Sequence, residues 1–146
     1  MKLTTHWTQE KFHLLSTDGR HEVRMDTRPP LGDDSDMTPK QLVVAGLAGC
    51  TLMDVVALMR KHHQPVELLE VDAEVEKSTG GYPEVFTAVL LTFRLKGNLD
   101  PARVLDAVEA SQTKYCGVSA MLSKAFPIRY RVELNAERIG EGEARF

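Results

Sequence analysis

Hydrophobic and polar residues alternate in several runs of the chain, and these runs predict strands. The clearest run covers residues 69–76, where apolar residues at the odd positions are separated by acidic residues at the even positions. This period of two is typical of a half-buried strand. Related patterns predict strands over residues 85–95 and 128–134, and Asp18-Gly19 marks a tight hairpin among short strands in the first 26 residues.

A longer apolar segment, from Thr38 to about Lys61, predicts a helix. Thr38 is a good N-cap, Pro39 suits the first helical position, and Gln41 completes a capping box. Apolar residues surround most of the circumference of this helix, and a helix that is apolar nearly all round is buried. We therefore predict that it is the central helix of the fold.

Two shorter helical segments follow, one beginning after Asp100 and one running from about Cys116 to Phe126. The resulting order is strands, long helix, two strands, helices and a strand. This order predicts an α+β fold in which an antiparallel sheet packs against the buried helix. No repeat or linker divides the sequence, so we predict one domain over residues 1–135, followed by a charged, solvated tail at 136–146.

Composition narrows the possible functions of this 146-residue chain, whose formal net charge is −3. The mild acidity disfavours a nucleic-acid-binding protein, for which a basic domain is expected. The longest uncharged apolar run, from Leu42 to Met53, has 12 residues, fewer than the roughly 20 that span a membrane. The N-terminus has no apolar signal segment, so we expect a cytoplasmic protein without membrane or nucleic-acid partners.

Cys50 and Cys116 are the only cysteines, and their spacing matches neither a CxxC motif nor a zinc motif. From the residues alone they are either small buried hydrophobes or reduced thiols with a catalytic or redox role. A reactive cysteine needs a nearby cation or a helix N-terminus. Cys116 has both Lys114 and a predicted helix start beside it, whereas Cys50 lies about 18 Å along the helix from Thr38. Local physics therefore favours Cys116 as the nucleophile.

Asp54, one helical turn after Cys50, has two interpretations: its carboxylate faces the same pocket as the thiol, or it caps or pairs with another element. The neighbouring His62 and His63 point in different directions on a helix, and no ligand cluster accompanies them. There is also no glycine-rich phosphate loop. We therefore expect no metal, flavin or nucleotide cofactor.

Two sequence runs, GCTLMDVV at residues 49–56 and KYCGV at residues 114–118, resemble motifs of the OsmC/Ohr family and most closely its YhfA-like branch. The resemblance covers about residues 1–135 and includes the order of predicted elements. Members of this family are cysteine-dependent hydroperoxide reductases. The resemblance therefore implies an OsmC-like fold and an intertwined homodimer in which each site forms at the subunit interface.

The resemblance also implies a role for each cysteine. Cys50, on the central helix, is the peroxidatic residue that becomes a sulfenic acid, and Cys116 resolves it as a disulfide that an external dithiol reductant resets. This assignment makes Cys50 the nucleophile, whereas the sequence neighbours of the two cysteines favour Cys116. The two differ because in the family the activating cation is brought to the first cysteine by folding. Arg28, in the loop before the long helix, is the best match to the family's arginine, ahead of Arg20 and Arg24.

Position 40 departs from the peroxidase branches of the family, in which a glutamate ten residues before the first cysteine helps to hold the thiolate. Here Lys40 stands at that position. Either Lys40 itself stabilises the thiolate, or peroxide turnover is weak, or the true substrate is not a peroxide. The alternative function is a catalytically weak or non-enzymatic OsmC-fold protein that binds a small apolar or thiol-reactive ligand at the dimer interface. The residues expected to line the pocket are Lys40, Gln41, Leu47, Met53, Tyr115, Val118 and Met121.

Overall fold

The first strands form a three-stranded antiparallel sheet in the computed structural model, which describes all residues from 1 to 146. Its strands, in spatial order, are β1 (Thr4–Trp7), β2 (Leu14–Thr17) and β3 (Glu22–Met25). The predicted hairpin at Asp18-Gly19 joins β2 to β3. Gly19 adopts a φ of 94° in this turn, a conformation that glycine tolerates without steric cost.

Asp26 organises the loop that follows β3. Its side chain is buried, and its Oδ2 accepts hydrogen bonds from the amides of Asp33 and Ser35 at 2.9 and 3.1 Å and from the Ser35 hydroxyl at 3.0 Å. Burial by itself raises the pKa of Asp26, but the hydrogen bonds from Ser35, Asp33 and Thr27 outweigh it and hold that pKa well below its usual range. The ionised carboxylate therefore ties this loop together.

Helix α1 covers Pro39–Lys61, close to the predicted range. The amide of Gln41 donates to Thr38 Oγ1 at 3.3 Å, and the amide of Thr38 donates to Gln41 Oε1 at 2.7 Å. These two reciprocal bonds are the predicted capping box, and they satisfy amides that a helix N-terminus otherwise leaves unpaired.

The chain divides into two compact units, Met1–Val44 and Ala45–Phe146. In the second unit α1 buries a single stripe of residues at four-residue spacing: Leu47, Thr51, Val55 and Met59. The prediction of a helix buried nearly all round is wrong for the single chain, because Met53 is 73% exposed. By length and composition helix α1 is also apolar enough to cross a membrane, a property that core helices of soluble proteins share.

The second sheet has four strands, in the order β4, β5, β6, β7. Their bounds are Leu68–Lys77, Phe86–Lys96, Ile128–Leu134 and Glu137–Glu143. Strands β5 and β6 are parallel, so the prediction of wholly antiparallel sheets is wrong for this pair. A parallel pair requires a crossover connection, and the helical segments supply it. They are α2 (Pro101–Ala110), a π-helical segment (Ser111–Tyr115) and α3 (Gly117–Leu122).

Strand β7 occupies most of the segment predicted as a charged tail, which is therefore part of the second unit rather than a solvated extension. Its sequence signal is weak because glycines stand where a strand usually carries larger side chains. A Cβ atom at Gly142 would lie 2.4 Å from the Tyr130 hydroxyl oxygen, and one at Gly140 would lie 2.5 Å from a Leu105 methyl. The two glycines let β7 approach these side chains closely.

The core of the second unit combines the buried stripe of α1 with apolar residues of β5, β6 and α2. Phe93 and Tyr130, on neighbouring strands, meet edge to face with ring centroids 6.5 Å apart, a favourable aromatic geometry. This core fixes the rotation of α1 about its own axis, and so it fixes where the side chains beside the buried stripe point.

Candidate active site

The two cysteines lie side by side in the second unit, and both are free thiols. The Cys50 and Cys116 sulfurs and one carboxylate oxygen of Asp54 all lie within 4.8 Å of one another. A disulfide bond is about 2.05 Å long, so the two sulfurs are neighbours that have not bonded. Asp54 faces the thiols and also accepts a 3.0 Å hydrogen bond from Ser111 Oγ on the π-helical segment, so both contacts that the sequence left open are observed.

A π-helical segment delivers Cys116 to this position. The amide of Cys116 donates to the carbonyl oxygen of Ser111, five residues earlier, at 3.0 Å. The backbone then becomes extended at Cys116, which caps α3 by accepting a 3.3 Å hydrogen bond from the Ser119 amide on its sulfur. Single π-helical turns of this kind occur often at functional sites.

The two thiols differ in their environments. Cys116 is completely buried, whereas Cys50 is half-buried. Burial raises the pKa of the Cys116 thiol, hydrogen bonds from Ser119 oppose the rise, and the adjacent Cys50 adds to it. Lys114, the cation next to Cys116 in sequence, has its ammonium 5.1 Å from the centre of the Tyr115 ring. The expectation from local physics that Cys116 is the activated thiol is therefore wrong, because burial outweighs the helix start.

A chain of buried hydrogen bonds ends at Asp54. Gln112 Nε2 donates to Thr51 Oγ1 at 2.6 Å, the Thr51 and Ser111 hydroxyls are 2.8 Å apart, and Ser111 Oγ donates to Asp54 Oδ2 at 3.0 Å. Each hydroxyl has only one proton to donate. Because the proton of Ser111 goes to Asp54, Thr51 must donate to Ser111 and accept from Gln112. All donors in this series of hydrogen bonds therefore point toward the Asp54 carboxylate.

The residues of this chain, together with Ser119, are the functional candidates that the sequence did not reveal. Thr51, Ser111, Gln112 and Ser119 are buried polar residues. The only sequence signal is their position near Cys50 or Cys116. Because the contacts of Thr51 join residues 60 and 61 positions apart, that signal does not identify them.

The predicted pocket residues differ in their burial and in the unit to which they belong. Leu47 is 1% exposed and belongs to the core, and Val118 packs against that core; Leu47 is therefore not a pocket wall. Met53, Met121 and Tyr115 follow or flank the cysteines in sequence and are 73%, 66% and 48% exposed. The remaining pocket residues, Lys40 and Gln41, belong to the first unit, where Gln41 uses its side chain in the capping box. Arg28, the predicted catalytic cation, also belongs to the first unit.

Comparison with known proteins shows the family. The family model described as OsmC-like protein matches residues 32–131. Protein YhfA from Escherichia coli strain K12 is 31% identical to this chain over 137 residues, which are 93% of this chain and 99% of that protein. The resemblance inferred from the two cysteine motifs is thus confirmed.

Solved structures share the fold. An OsmC-like protein from Mycoplasma pneumoniae superposes with a TM-score of 0.76 at 14% identity, covering 91% of this chain and 95% of that one. An organic hydroperoxide resistance protein from Legionella pneumophila superposes with a TM-score of 0.62 at 20% identity, covering 91% and 93%. With its two sheets, its central helix and its paired cysteines, the chain belongs to the OsmC-like protein family.

Proposed function

We propose that this protein is a thiol-dependent reductase of organic hydroperoxides. The observation that carries the proposal is the pair of reduced, unequally exposed cysteines whose sulfurs lie within 4.8 Å of each other. The sequence separates these residues by 66 positions, so the fold has brought them together. Membership in a family that includes organic hydroperoxide resistance proteins supports the same function.

The reaction proceeds in three steps. The Cys50 thiolate attacks the terminal peroxide oxygen, the O–O bond breaks, and the alkoxide leaves and takes a proton as the alcohol, so that Cys50 becomes a sulfenic acid. The Cys116 sulfur then attacks the Cys50 sulfur, forming a disulfide and releasing water. An external dithiol reduces this disulfide and is itself oxidised to a disulfide.

The assignment of Cys50 as the attacking residue rests on access. A peroxide must reach the sulfur that it oxidises, and Cys50 is the more exposed of the two thiols. Cys116 is buried and has a raised pKa, which suits a thiol held in reserve until the sulfenic acid forms. Arg28 is proposed to stabilise the Cys50 thiolate. We place the reaction in the cytoplasm, where thiols are kept reduced.

A second copy of the chain is proposed to cover the exposed face of α1 and to complete the site. Met53 and Met121 stand close in sequence to the cysteines and are mostly exposed, while a Cβ atom at Gly46 or Gly49 would meet nothing within 4 Å. Large apolar side chains and open glycines on one unit fit a closely approaching protein surface better than lipid. The same apolar surroundings favour organic hydroperoxides over hydrogen peroxide.

The dimer is tested by light scattering after size-exclusion chromatography. We expect the wild-type mass to be twice that of the chain and M53E/M121E to shift toward the monomer, because buried carboxylates oppose association. Tyr82→Glu is the control, since Tyr82 is fully exposed in the loop between β4 and β5 and its substitution should leave the mass unchanged. A wild-type protein that remains monomeric at all concentrations would contradict the dimer.

The reductase activity is tested with reduced protein and cumene hydroperoxide. Intact mass spectrometry should show the loss of two hydrogens in the wild type, and peptide mapping should identify a Cys50–Cys116 disulfide. Cys116→Ser should instead accumulate a sulfenic acid on Cys50 that dimedone traps. Cys50→Ser should show neither product, and dithiol-dependent peroxide consumption should stop in both variants.

The same experiment distinguishes the alternative function, ligand binding without turnover. The feature that favours it is the Asp54 carboxylate within 4.8 Å of both sulfurs, because a negative charge beside a thiol opposes formation of the thiolate. A wild-type protein that forms no disulfide and consumes no peroxide, while both thiols react with a small alkylating reagent, would reject the reductase and leave binding as the function.

A further inference from the structure

Three potential metal-ligand atoms converge at the cysteine pair. Cys50 and Asp54 are four residues apart on α1 and so share a helix face, and Cys116 comes from the start of α3. Their two sulfurs and one carboxylate oxygen lie within 4.8 Å of one another. In a tetrahedral zinc site with Zn–S distances of about 2.3 Å, neighbouring sulfurs are about 3.8 Å apart. Contraction by about 1 Å therefore suffices to form three corners of a tetrahedron.

The directed hydrogen-bond chain provides an independent observation, because it fixes the orientation of Asp54. Three buried polar residues, Thr51, Ser111 and Gln112, direct their donors toward Asp54 Oδ2. Asp54 Oδ1 takes no part in this chain and is available to a ligand. Carboxylates that bind metals are held in this way by hydrogen bonds from an outer shell of residues.

The charges of the three groups favour a cation between them. Two thiolates and a carboxylate within a few ångströms repel one another, and a divalent cation at their centre adds an attraction to each of the three groups that outweighs this repulsion. Thiolate ligands select thiophilic ions such as zinc over magnesium or calcium. Three protein ligands leave the fourth position to water, and Cys50, which is half-buried, gives solvent access to that position.

We infer that reduced Cys50, Cys116 and the Asp54 carboxylate form a binding site for a thiophilic divalent cation of the zinc class. Binding converts two thiols to metal-bound thiolates and releases two protons. After the ion dissociates, a hydroperoxide can oxidise the free pair to a disulfide and is itself reduced to an alcohol and water; the disulfide has lost both thiolate ligands and does not rebind the ion. The metal site does not depend on peroxide chemistry; only its consequence, that bound zinc blocks the attack of Cys50 on a hydroperoxide, rests on the proposed function.

Cobalt(II) is the spectroscopic probe for this site. Reduced wild-type protein, prepared metal-free under nitrogen, should bind one Co²⁺ per chain and develop a thiolate-to-cobalt charge-transfer band and the visible bands of tetrahedral cobalt. Zn²⁺ should displace the cobalt and abolish these bands. Protein carrying the Cys50–Cys116 disulfide should show none of them.

Variants separate this site from adventitious binding. Cys50→Ser and Cys116→Ser should each lose the two-thiolate spectrum, and Asp54→Asn should weaken Zn²⁺ binding at least 10-fold in competition with a chromogenic chelator. Asp54→Glu keeps the carboxylate and should retain binding if Asp54→Asn folds poorly. Ser111→Ala should weaken binding about 10-fold, at the lower end of the range for lost outer-shell contacts. Asp106→Asn, an exposed carboxylate on α2, is the matched control and should bind like the wild type.

Two results would overturn the metal site. One is the absence of any cobalt–thiolate band in a protein whose two thiols are titratable, and the other is equal Zn²⁺ affinity in the wild type and Asp54→Asn. Because disulfide formation is measured separately, the two proposals fail separately. A protein that forms the disulfide but binds no zinc loses only the metal site, and one that binds zinc but never forms the disulfide loses only the reductase.

Discussion

The backbone amide of Arg145 donates a 3.0 Å hydrogen bond to the carbonyl oxygen of Gln112. This bond joins the end of the chain to the π-helical segment, and the side chain of Gln112 begins the hydrogen-bond chain that reaches Asp54. The adjacent Ala144 is buried, and its amide donates to the Ile128 carbonyl at 2.8 Å. The C-terminus is therefore a structural support of the cysteine site.

Truncation tests this support. Deleting residues 144–146 removes the two backbone hydrogen bonds, which at about 1 kcal/mol each should lower Tm by roughly 4–8 °C for a chain of this size. Disulfide formation with cumene hydroperoxide should also slow, because Gln112 loses its anchor. Phe146→Ala, which keeps both bonds, is the control. Equal Tm values for the truncated and full-length proteins would show that the C-terminus does not support the site.

Leu47 distinguishes core packing from pocket lining. Leu47→Ala should lower the free energy of unfolding by about 2–4 kcal/mol, the cost of a cavity in a packed core, while KM for organic hydroperoxides stays within about twofold of the wild type. Urea denaturation and steady-state peroxide consumption measure the two effects. A changed KM with little loss of stability would restore Leu47 to the pocket wall.

The role proposed for Arg28 is to stabilise the Cys50 thiolate. Arg28→Ala should reduce kcat/KM for cumene hydroperoxide about 10-fold or more, since an opposite charge strongly favours a neighbouring thiolate. Arg24→Ala and Arg20→Ala, the two arginines that match the family less well, should retain activity. If one of these two variants is inactive and Arg28→Ala is active, the activating cation is a different arginine.

Acid should weaken the first unit through Asp26. Its pKa is lowered on folding, so its contribution to stability is complete above about pH 4, where aspartate ionises in unfolded chains, and is lost progressively as pH falls below that value. Tm measured from pH 7 to pH 3 should therefore fall less steeply in Asp26→Asn than in the wild type, while Asp26→Asn is the less stable protein at pH 7. Asp34→Asn, an exposed carboxylate in the same loop, should follow the wild-type curve. Parallel curves for Asp26→Asn and the wild type would contradict this role.

Local signals predicted the elements that local interactions determine. The capping box of α1, the Asp18-Gly19 hairpin and the alternation in β4 are visible in the sequence because neighbouring residues create them. Strand β7 is not predicted because its glycines are required by close contacts with Tyr130 and Leu105, which are distant in sequence. The parallel pairing of β5 with β6 likewise depends on the path of the crossover.

The candidate site likewise contains some residues that the sequence predicts and others that it does not. The cysteines were found from their motifs, and a contact between Asp54 and the thiols was one of two open interpretations. Ser111 and Gln112 were not found, because their hydrogen bonds to α1 join residues 57 to 61 positions apart. The exposed face of α1 was mistaken for buried core because apolar character alone does not say whether the same chain or another surface covers it.

The π-helical segment gives the site an unusual sensitivity to chain length. In a regular α-helix each residue advances the side-chain direction by about 100°, so removing one residue between Ser111 and Cys116 would turn the second thiol to another side of the helix. The chain would keep both cysteines and nearly its whole core. A deletion would nevertheless separate the two sulfurs, a change that a search for substituted residues would overlook.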